Sequence, residues 1–415
     1  MNILRIINQL IGILFALCYF YQILYIPVPW FRKSKKPNKT NMTNRYAVLI
    51  CARNEENVIA NLIECLKHQT YEQRNLNIFV LADNCTDQTA SIAEAAGAAV
   101  YERKDQALIG KGYALEELLR NISADHPEGF DGYFVFDADN VLKADFIEQM
   151  DRVFTEGHDI ITSYRNSKNY GKNWLSAGYA LWYLRESRYL NHARFLLGTS
   201  CAVSGTGFLF SRKILEETGG WPFHMLVEDI EFSIDQIVQG KKIAFCKEAE
   251  LYDEQPTTFS QSWNQRMRWT RGYWQVFKVY GLRLIRGILK GSFSCFDMSM
   301  SIMPAFILST LSIIDGIALG ICDALNGGDV MIAINSIGYL FGEFYATLFF
   351  MGLITTITEW DHIHTKTIKK ILYVFTFPLF IFTYLPIALI SLFVDPGWKP
   401  IRHSSDFDPE DIRTG

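Results

Sequence analysis

The hydrophobic residues of this chain are concentrated in four long runs that carry almost no charge. The runs cover residues 6–30, 298–322, 330–358 and 371–394. A helix needs about 20 apolar residues to cross the hydrocarbon core of a bilayer, and the first, second and fourth runs are long enough. The third contains Glu343, which is costly in lipid and would have to face protein or water. A buried core helix is the alternative for any single run, but the set predicts about four transmembrane helices.

The segments that flank these runs predict a topology. A basic segment at 32–36 follows the first run, and such segments stay on the cytoplasmic side. The run is too long for the core of a cleaved signal peptide, so residues 1–31 are expected to form an N-terminal membrane anchor. Three further membrane helices are predicted within 298–394, followed by a polar tail at 395–415. Helix parity puts the C-terminus outside, whereas the basic residues of the tail favour the inside, and the sequence leaves this open.

From residue 46 the pattern changes to short apolar runs that alternate with helical stretches. Strands are predicted at 46–52, 76–82, 98–101 and 133–136, and helices at 56–68, 86–96, from 112 onward, and 144–154. Such alternation predicts an α/β fold with a mostly parallel sheet that is covered on both faces. Ligands of these sheets bind at the carboxyl ends of the strands, near the point where the strand order reverses.

Between residues 263 and 290, aromatic and aliphatic residues recur at helical spacing, and basic residues supply the polar side. These basic residues are Arg266, Arg268, Arg271, Lys278, Arg283, Arg286 and Lys290. The pattern is typical of a helix that lies in the membrane interface, and the alternative is an amphipathic helix packed on the globular domain. Its position directly before the membrane runs favours the interface, so amphipathic interface helices are predicted at 261–292.

Charge and cysteine content exclude several classes of protein. The net charge of the 415 residues is −4, and there is no basic block suited to nucleic acid. The 8 cysteines are scattered and form no CxxC pair. In a cytoplasmic domain they are expected to be reduced core residues, without a zinc or disulfide framework.

Polar residues follow the predicted strands. Asp137 and Asp139 come directly after the strand at 133–136, and carboxylates suit Mg²⁺ or Mn²⁺, which bridge them to substrate phosphates. Taken alone, such a pair is more often a pair of solvated loop acids. Glu55 and Asp83 follow the first and second strands, where acids can bind a base or a ribose, although Asp83 could equally cap a helix. Lys111 stands between two glycines and could meet a phosphate or be a surface lysine.

Two further groups of residues lie later in the chain. Glu228 and Asp229 open a helical stretch, and an acid there could deprotonate an attacking hydroxyl, with helix capping as the alternative. Gln265, Arg268 and Trp269 follow, and arginine can clamp phosphate oxygens while tryptophan stacks on a sugar ring.

In this order the residues resemble the membrane-integrated family 2 glycosyltransferases, which include cellulose, chitin and hyaluronan synthases and the exopolysaccharide synthases. The resemblance runs from about residue 46 to residue 269, and its most specific part is the glutamine-x-x-arginine-tryptophan signature at 265–269. The exopolysaccharide subgroup is the most similar. The resemblance implies a GT-A type, Rossmann-like nucleotide-sugar domain at 44–260, on the cytoplasmic side of the cell membrane.

The resemblance also implies a role for each matching residue. Asp229 matches the catalytic base, and Asp137 and Asp139 match the pair that binds the diphosphate through Mg²⁺ or Mn²⁺. The nucleotide-sugar would be held by Glu55, Asp83, Lys111, Asp137 and Arg268, and the acceptor by Glu228, Gln265 and Trp269. Val227 stands where the family often has threonine, which removes a hydroxyl near the acceptor.

The implied activity is an inverting transfer from a UDP-sugar to a growing polysaccharide, repeated along the chain and coupled to export. One alternative is a transferase that adds a single sugar to a lipid or glycan acceptor. A more distant one is a transporter or receptor subunit that only binds a nucleotide. The implied partners are the UDP-sugar donor, a carbohydrate acceptor and membrane lipids, with a second copy or an export partner to complete a translocation path. The sugar and the linkage stay open.

Overall fold

The computed structural model describes residues 2–32, 41–302, 304–325, 330–394 and 397. Apart from Arg32 and Gly397, the predicted basic segment at 32–36 and the predicted tail at 395–415 lie outside the described residues. The chain forms two compact units. The α/β unit comprises Val28–Asn169, Glu186–Pro256 and Gly397–Gly415, and the helical unit comprises Met1–Pro27, Tyr170–Arg185 and Thr257–Pro396.

An eight-stranded mixed sheet forms the centre of the α/β unit. Its strands are β1 (Tyr46–Ala52), β2 (Leu76–Asp83), β3 (Ala99–Arg103), β4 (Gly132–Asp137), β5 (Val141–Leu142), β6 (Ile160–Ser167), β7 (Phe208–Ser211) and β8 (Ala244–Asp253), in the order β3-β2-β1-β4-β7-β6-β8-β5. The strands β3, β2, β1 and β4 are parallel to one another, and β6 is parallel to β8. Strands β7 and β5 run antiparallel to their neighbours. The predicted α/β class with a mostly parallel sheet is therefore confirmed.

The described helices occupy both units. In chain order they are α1 (Asn2–Tyr25), α2 (Val28–Phe31), α3 (Ile59–Lys67), α4 (Thr89–Ala95), α5 (Lys111–Asp125), α6 (Phe146–Thr155), α7 (Trp174–Arg185), α8 (His192–Leu197), α9 (Arg212–Thr218), α10 (Glu228–Val238), α11 (Phe259–Leu289), α12 (Phe293–Ile302), α13 (Pro304–Leu325), α14 (Val330–Thr358), α15 (Thr367–Phe382) and α16 (Tyr384–Ser391). A π-helical turn spans Glu186–Asn191, and 3₁₀ turns span Gln73–Asn75 and Trp360–His362.

Strand β1 lies at the centre of the core. Its first five residues are fully buried, which explains why its sequence is a continuous apolar run and not an alternating one. The one polar group in this stretch, the hydroxyl of Tyr46, donates to the carboxylate of Asp151, which also accepts from Tyr71. The burial of this carboxylate is thus compensated by two tyrosine donors.

The register of the central strands brings their carboxyl ends together. Cys51 of β1 pairs with Asp137 of β4, and Ala52 pairs with Ala82 of β2, so the three strands end within about one residue of each other. The chain runs from β1 outward to β2 and β3 and then returns to place β4 on the other side of β1. The strand order therefore reverses between β1 and β4, which is the position where α/β sheets bind ligands. We call the ends of β1, β2 and β4 the carboxyl edge.

In the described residues, three helical segments are long and apolar enough to cross a membrane, and the sequence predicts about four. They are Gln9–Phe31, Phe341–Thr358 and Thr367–Ser391. The predicted run at 298–322 is divided between α12, which ends at Ile302, and α13, which begins with Pro304 and ends at Leu325. Proline lacks a backbone N–H and is common at the first position of a helix. Within the described residues of α13, the stretch Thr310–Cys322 is apolar. A span at 298–322 stays a prediction. The interface position of α11 stays a prediction.

Candidate active site

Lys111 is the first residue of α5 and reaches the carboxyl edge. Its Nζ donates to Oδ1 of Asp137 and, over 2.8 Å, to the carbonyl oxygen of Gly205. Burial alone would lower the pKa of this ammonium, but the charges of Asp137 and Glu228 outweigh it, and the pKa is raised. Lys111 is therefore a charged partner of the predicted diphosphate-binding pair and not a surface lysine.

The start of α5 is seated by a close backbone contact. A Cβ added at Gly112 would lie 2.0 Å from the carbonyl oxygen of Phe223, so only glycine allows this approach. The segment around Phe223 leads into α10, and next to it the ring of His224 stacks on Tyr113 at 4.2 Å between centroids. The loop before α10 thus packs directly against the helix turn that presents Lys111.

Asp137 and Asp139 lie at the end of β4 and are held from two sides. The main-chain N–H of Asp137 donates to Oγ1 of Thr206 at 2.9 Å and to Oδ1 of Asn140 at 3.1 Å. The carboxylate of Asp139 is buried, and its Oδ2 accepts the main-chain N–H of Glu254 at 2.7 Å. Both acids are therefore mounted on a hydrogen-bonded strand end, with the carboxylate of Asp139 buried and that of Asp137 38% exposed.

Asp229 is the second residue of α10 and faces the turn Ser204-Gly205-Thr206. A Cβ added at Gly205 would lie 3.8 Å from Oδ2 of Asp229, so this glycine leaves room beside the carboxylate. Burial raises the pKa of Asp229, while backbone N–H groups and the charges of Lys111 and Arg165 act in the opposite direction. The neighbouring Glu228 is also buried. A carboxylate that is more basic than usual and lies beside an open turn is suited to accept a proton.

The residues predicted to hold the nucleotide follow β1 and β2. Asp83 is buried and accepts from Nη1 of Arg103 at 2.7 Å and from Asn84 at 2.9 Å. Glu55 is half-buried, and its main-chain N–H donates to Oγ1 of Thr89 at 2.8 Å. Both residues lie at the carboxyl edge, but Asp83 already has an arginine partner that the sequence did not reveal.

The loops after β1 and β2 each contain an asparagine in the left-handed conformation, and Asn54 joins the two loops. Asn54 and Asn84 have φ values of +58° and +52°, which asparagine tolerates better than most residues. The side-chain oxygen of Asn54 accepts the main-chain N–H of Thr86 at 2.8 Å. The two loops that carry Glu55 and Asp83 thus support each other.

Gln265, Arg268 and Trp269 lie on α11, in the helical unit, whereas the acids and Lys111 belong to the α/β unit. Within the helical unit, the ring of Trp269 meets that of Tyr179 edge-on at 5.9 Å. Among the described residues, the buried Oε1 of Gln265 has no hydrogen-bond donor. An oxygen of this kind is available to a ligand hydroxyl.

Arg266 is not on the polar side of the helix, contrary to the prediction. It is fully buried, and its Nη1 donates to the carbonyl of Phe380 at 3.2 Å and to the hydroxyl of Thr383 at 2.6 Å. The guanidinium also lies 4.7 Å from the ring centres of Phe380 and Tyr384. Cation–π contacts and carbonyl acceptors compensate its burial in place of a carboxylate.

Two residues of the site were missed by the sequence reasoning. Arg165 of β6 and Asp253, the last residue of β8, form an ion pair beside the acids, and the charges of Asp139 and Asp137 act on Asp253. An acid at the end of a buried strand, as at Asp137, was the signal that could have identified Asp253. It was overlooked because the α/β alternation is less regular after residue 205, where β8 was not predicted.

The donor set at the carboxyl edge fits Mg²⁺ or Mn²⁺. Within the described ranges, no three His, Cys, Asp or Glu side chains are arranged to enclose a metal ion. Two carboxylates, Asp137 and Asp139, are available, and Mg²⁺ is usually bound by one or two carboxylates together with substrate phosphates. Acids also outnumber cations here, since Asp253 and Glu228 are buried as well and Asp229 is half-buried. The charge balance of the site therefore favours a divalent cation that is shared with a diphosphate.

Comparison with known proteins places the chain in a family. Residues 44–272 match the family model described as "glycosyltransferase like family 2", which is more than half of the chain. The chain belongs to this family of glycosyltransferases. Its sequence is 27% identical over 244 residues to a probable glycosyltransferase (YdaM) of Bacillus subtilis, covering 55% of each protein.

A second type of relative makes a glycolipid. The chain is 26% identical over 275 residues to the β-monoglucosyldiacylglycerol synthase of Nostoc, covering 65% of this chain and 57% of that protein. The corresponding enzyme of Trichormus variabilis matches with the same identity and coverage. The chain thus matches somewhat more than half the length of these curated relatives.

A solved structure shares the fold. The mannosyltransferase PcManGT from Pyrobaculum calidifontis, determined with GDP-mannose and Mn²⁺, superposes with a TM-score of 0.60 and 15% identity over 93% of this chain and 99% of that one. At this identity the likeness concerns the fold, and it confirms the GT-A type of the nucleotide-sugar domain.

Proposed function

We propose that this protein transfers a single sugar from a UDP-sugar, with inversion, to a lipid acceptor in the membrane. The observation that carries the proposal is the match over 275 residues to β-monoglucosyldiacylglycerol synthases, whose name states a lipid acceptor. The three segments that are apolar enough to cross a membrane are consistent with an acceptor that is itself a lipid. These relatives favour the single-addition alternative over extension of a polysaccharide.

Donor binding would use the carboxyl edge. Glu55 and Asp83 are proposed to bind the base and the ribose, and Lys111 and Arg268 to bind phosphate oxygens. Asp137 and Asp139 would hold Mg²⁺ or Mn²⁺ together with the diphosphate. When bound, the ion neutralises the negative charge that develops on the leaving diphosphate.

Asp229 is proposed to act as the base. Its raised pKa and its place beside the Gly205 turn support this role. The acceptor hydroxyl gives its proton to Asp229 while its oxygen forms a bond to the anomeric carbon, and the bond from that carbon to the nucleoside diphosphate breaks. Attack from the face opposite the leaving group inverts the configuration, and no covalent intermediate with the enzyme is formed. Glu228, Gln265 and Trp269 are proposed to contact the acceptor.

A second candidate function is repeated addition to a carbohydrate. The observation that favours it is the glutamine-x-x-arginine-tryptophan sequence at 265–269, in which this chain resembles the polysaccharide synthases. In either case the α/β unit is expected on the cytoplasmic face of the membrane.

The experiment that tests the proposal uses the full chain in nanodiscs with Mn²⁺. UDP-glucose, UDP-N-acetylglucosamine and GDP-mannose are offered with diacylglycerol or with an oligosaccharide, and the products are analysed by mass. We expect one sugar on diacylglycerol, and loss of the product in Asp139→Asn but not in the control Asp145→Asn. A ladder of sugars on the oligosaccharide would favour the second candidate. Folded protein that releases no nucleoside diphosphate from any donor would contradict the proposal.

A further inference from the structure

Arg165 donates three hydrogen bonds into the centre of the site. Its Nε donates to Oδ2 of Asp253 at 2.9 Å, its Nη2 donates to the same oxygen, and its Nη1 donates to the carbonyl of Ser204 at 2.7 Å. The side chain of Arg165 is 15% exposed and that of Asp253 is 6% exposed, so the pair is largely shielded from water. A planar guanidinium offers these donors in a fixed arrangement, which the single ammonium of lysine cannot reproduce.

One of these contacts supports Asp139. Oδ1 of Asp253 accepts from Nε2 of Gln255 at 2.6 Å, so both oxygens of this carboxylate have partners within the chain. The main-chain N–H of the next residue, Glu254, donates to Oδ2 of Asp139 at 2.7 Å. Arg165 therefore holds the strand end that orients Asp139.

The other contact supports Asp137. Ser204 begins the turn whose next carbonyl, that of Gly205, accepts from Lys111 at 2.8 Å, and Lys111 in turn pairs with Asp137. Thr206, the third residue of the turn, accepts the main-chain N–H of Asp137 at 2.9 Å. One guanidinium thus fixes the supports of both carboxylates at the end of β4.

We infer that Arg165 is a positioning residue that sets the geometry in which Asp137 and Asp139 take up a divalent cation with a nucleoside diphosphate. It acts through Asp253 and the Ser204 turn and not as a ligand. The inference rests on the proposed function, because it takes these two acids as the metal-binding pair. Partners that orient metal ligands are typically worth about 10–100-fold in metal affinity or activity.

The test measures binding and not only turnover. The full chain in nanodiscs is titrated by calorimetry with UDP and with GDP, each with and without Mn²⁺, as wild type and as Arg165→Lys. We expect the Mn²⁺-dependent affinity of Arg165→Lys for the nucleotide to fall about 10–100-fold, with the metal-free affinity unchanged. Arg194→Lys is the matched control, because Arg194 is also buried and donates to a neutral partner, Asn191.

The outcomes separate the inference from the proposed function. Wild type that binds neither nucleotide with Mn²⁺ would overturn the proposed function and the inference with it. If the wild type binds a nucleotide with Mn²⁺ and Arg165→Lys binds it with equal affinity, only the inference is overturned. An equal loss with and without Mn²⁺ would also overturn it, since that indicates a general structural role. If Arg165→Lys does not fold, Asp253→Asn removes the same ion pair and is expected to lower the Mn²⁺-dependent affinity in the same direction.

Discussion

The Nζ of Lys111 donates to the carbonyl oxygen of Gly205 over 2.8 Å, so a helix start and a turn 94 positions later in the chain are joined beside the acids. Lys111→Met removes this bond and leaves Asp137 without its cation. Hydrogen bonds to charged groups contribute about 1.5–3 kcal/mol, so we expect kcat/KM for the donor to fall about 10–100-fold. Lys143→Met, which removes a lysine paired with Glu250 at 2.6 Å, is the control. Equal donor kinetics in the two variants would contradict this role of Lys111.

Asp229→Asn should abolish most of the transfer and leave donor binding intact. An amide cannot take the proton of the acceptor hydroxyl, and general-base catalysis typically contributes about 10²–10⁴-fold in rate. The measurement is kcat for sugar transfer, with nucleotide affinity in the presence of Mn²⁺ measured separately. Asp235→Asn, on the same helix α10, provides the control. A folded Asp229→Asn variant with near-normal turnover would show that the base is another residue.

The same substitution should stabilise the protein at neutral pH. Burial raises the pKa of Asp229 above that of an unfolded aspartate, so the folded chain binds the additional proton. The stabilisation from this proton is complete below the unfolded pKa of about 3.9 and is lost as the pH rises through the folded pKa. At pH 7 the charged carboxylate therefore costs stability, and Asp229→Asn removes that cost.

We expect a higher Tm for Asp229→Asn than for wild type at pH 7 in EDTA. Each 1 kcal/mol corresponds to about 2–4 °C for a unit of this size. The difference should become smaller as the pH falls through the folded pKa of Asp229 towards that of an unfolded aspartate. A Tm that is lower than wild type throughout this pH range would contradict the burial argument. Asp235→Asn tests whether removal of any acid from α10 has this effect.

Gly112→Ala should lower both stability and activity. The new Cβ would lie 2.0 Å from the backbone oxygen of Phe223, so the start of α5 or the loop before α10 has to move. Overpacking of this kind costs about 1–3 kcal/mol, and the movement displaces Lys111. Gly281→Ala is the matched control, because its Cβ would meet only the ring of Phe277 at 3.4 Å in a helix interior. Thermal unfolding and kcat/KM are compared between the two variants. A Gly112→Ala variant with wild-type Tm and kcat/KM would show that the close contact with Phe223 does not fix the start of α5.

Much of the α/β unit follows from local pattern. Strands buried on both faces must be apolar throughout, which is why β1, β2 and β4 were predicted close to their observed bounds. The polar residues that end these strands were predicted to share one edge because parallel neighbours end together. Local pattern also predicted that Glu228 and Asp229 open a helix, which is observed as the start of α10.

Contacts between distant residues were not predictable in this way. Arg165 contacts Ser204, which lies 39 positions later in the chain, and Asp253, which lies 88 positions later. The periodicity of a short segment does not reveal contacts of this kind. Arg266 was placed on the polar side because its charge suits water, whereas the aromatic and carbonyl groups that surround it belong to α15 and α16 and the residues between them. The division of the run at 298–322 was missed for a related reason, since hydropathy alone does not show that one helix ends at Ile302 and the next begins with Pro304.

The Asn54–Thr86 hydrogen bond joins the loops after β1 and β2, and these loops are held by different residues from those that hold Asp137 and Asp139. The loops that carry Glu55 and Asp83 contact each other, and Asp83 accepts a hydrogen bond from Arg103. Asp137 and Asp139 instead form hydrogen bonds with the turn Ser204-Gly205-Thr206 and with the residue that follows β8. Exchange of the loops after β1 and β2 would alter the surface that is proposed to bind a nucleobase, while Asp137 and Asp139 keep their hydrogen bonds. Under the proposed function, the preference for a nucleobase could therefore be changed by directed evolution without altering the residues that support Asp137 and Asp139.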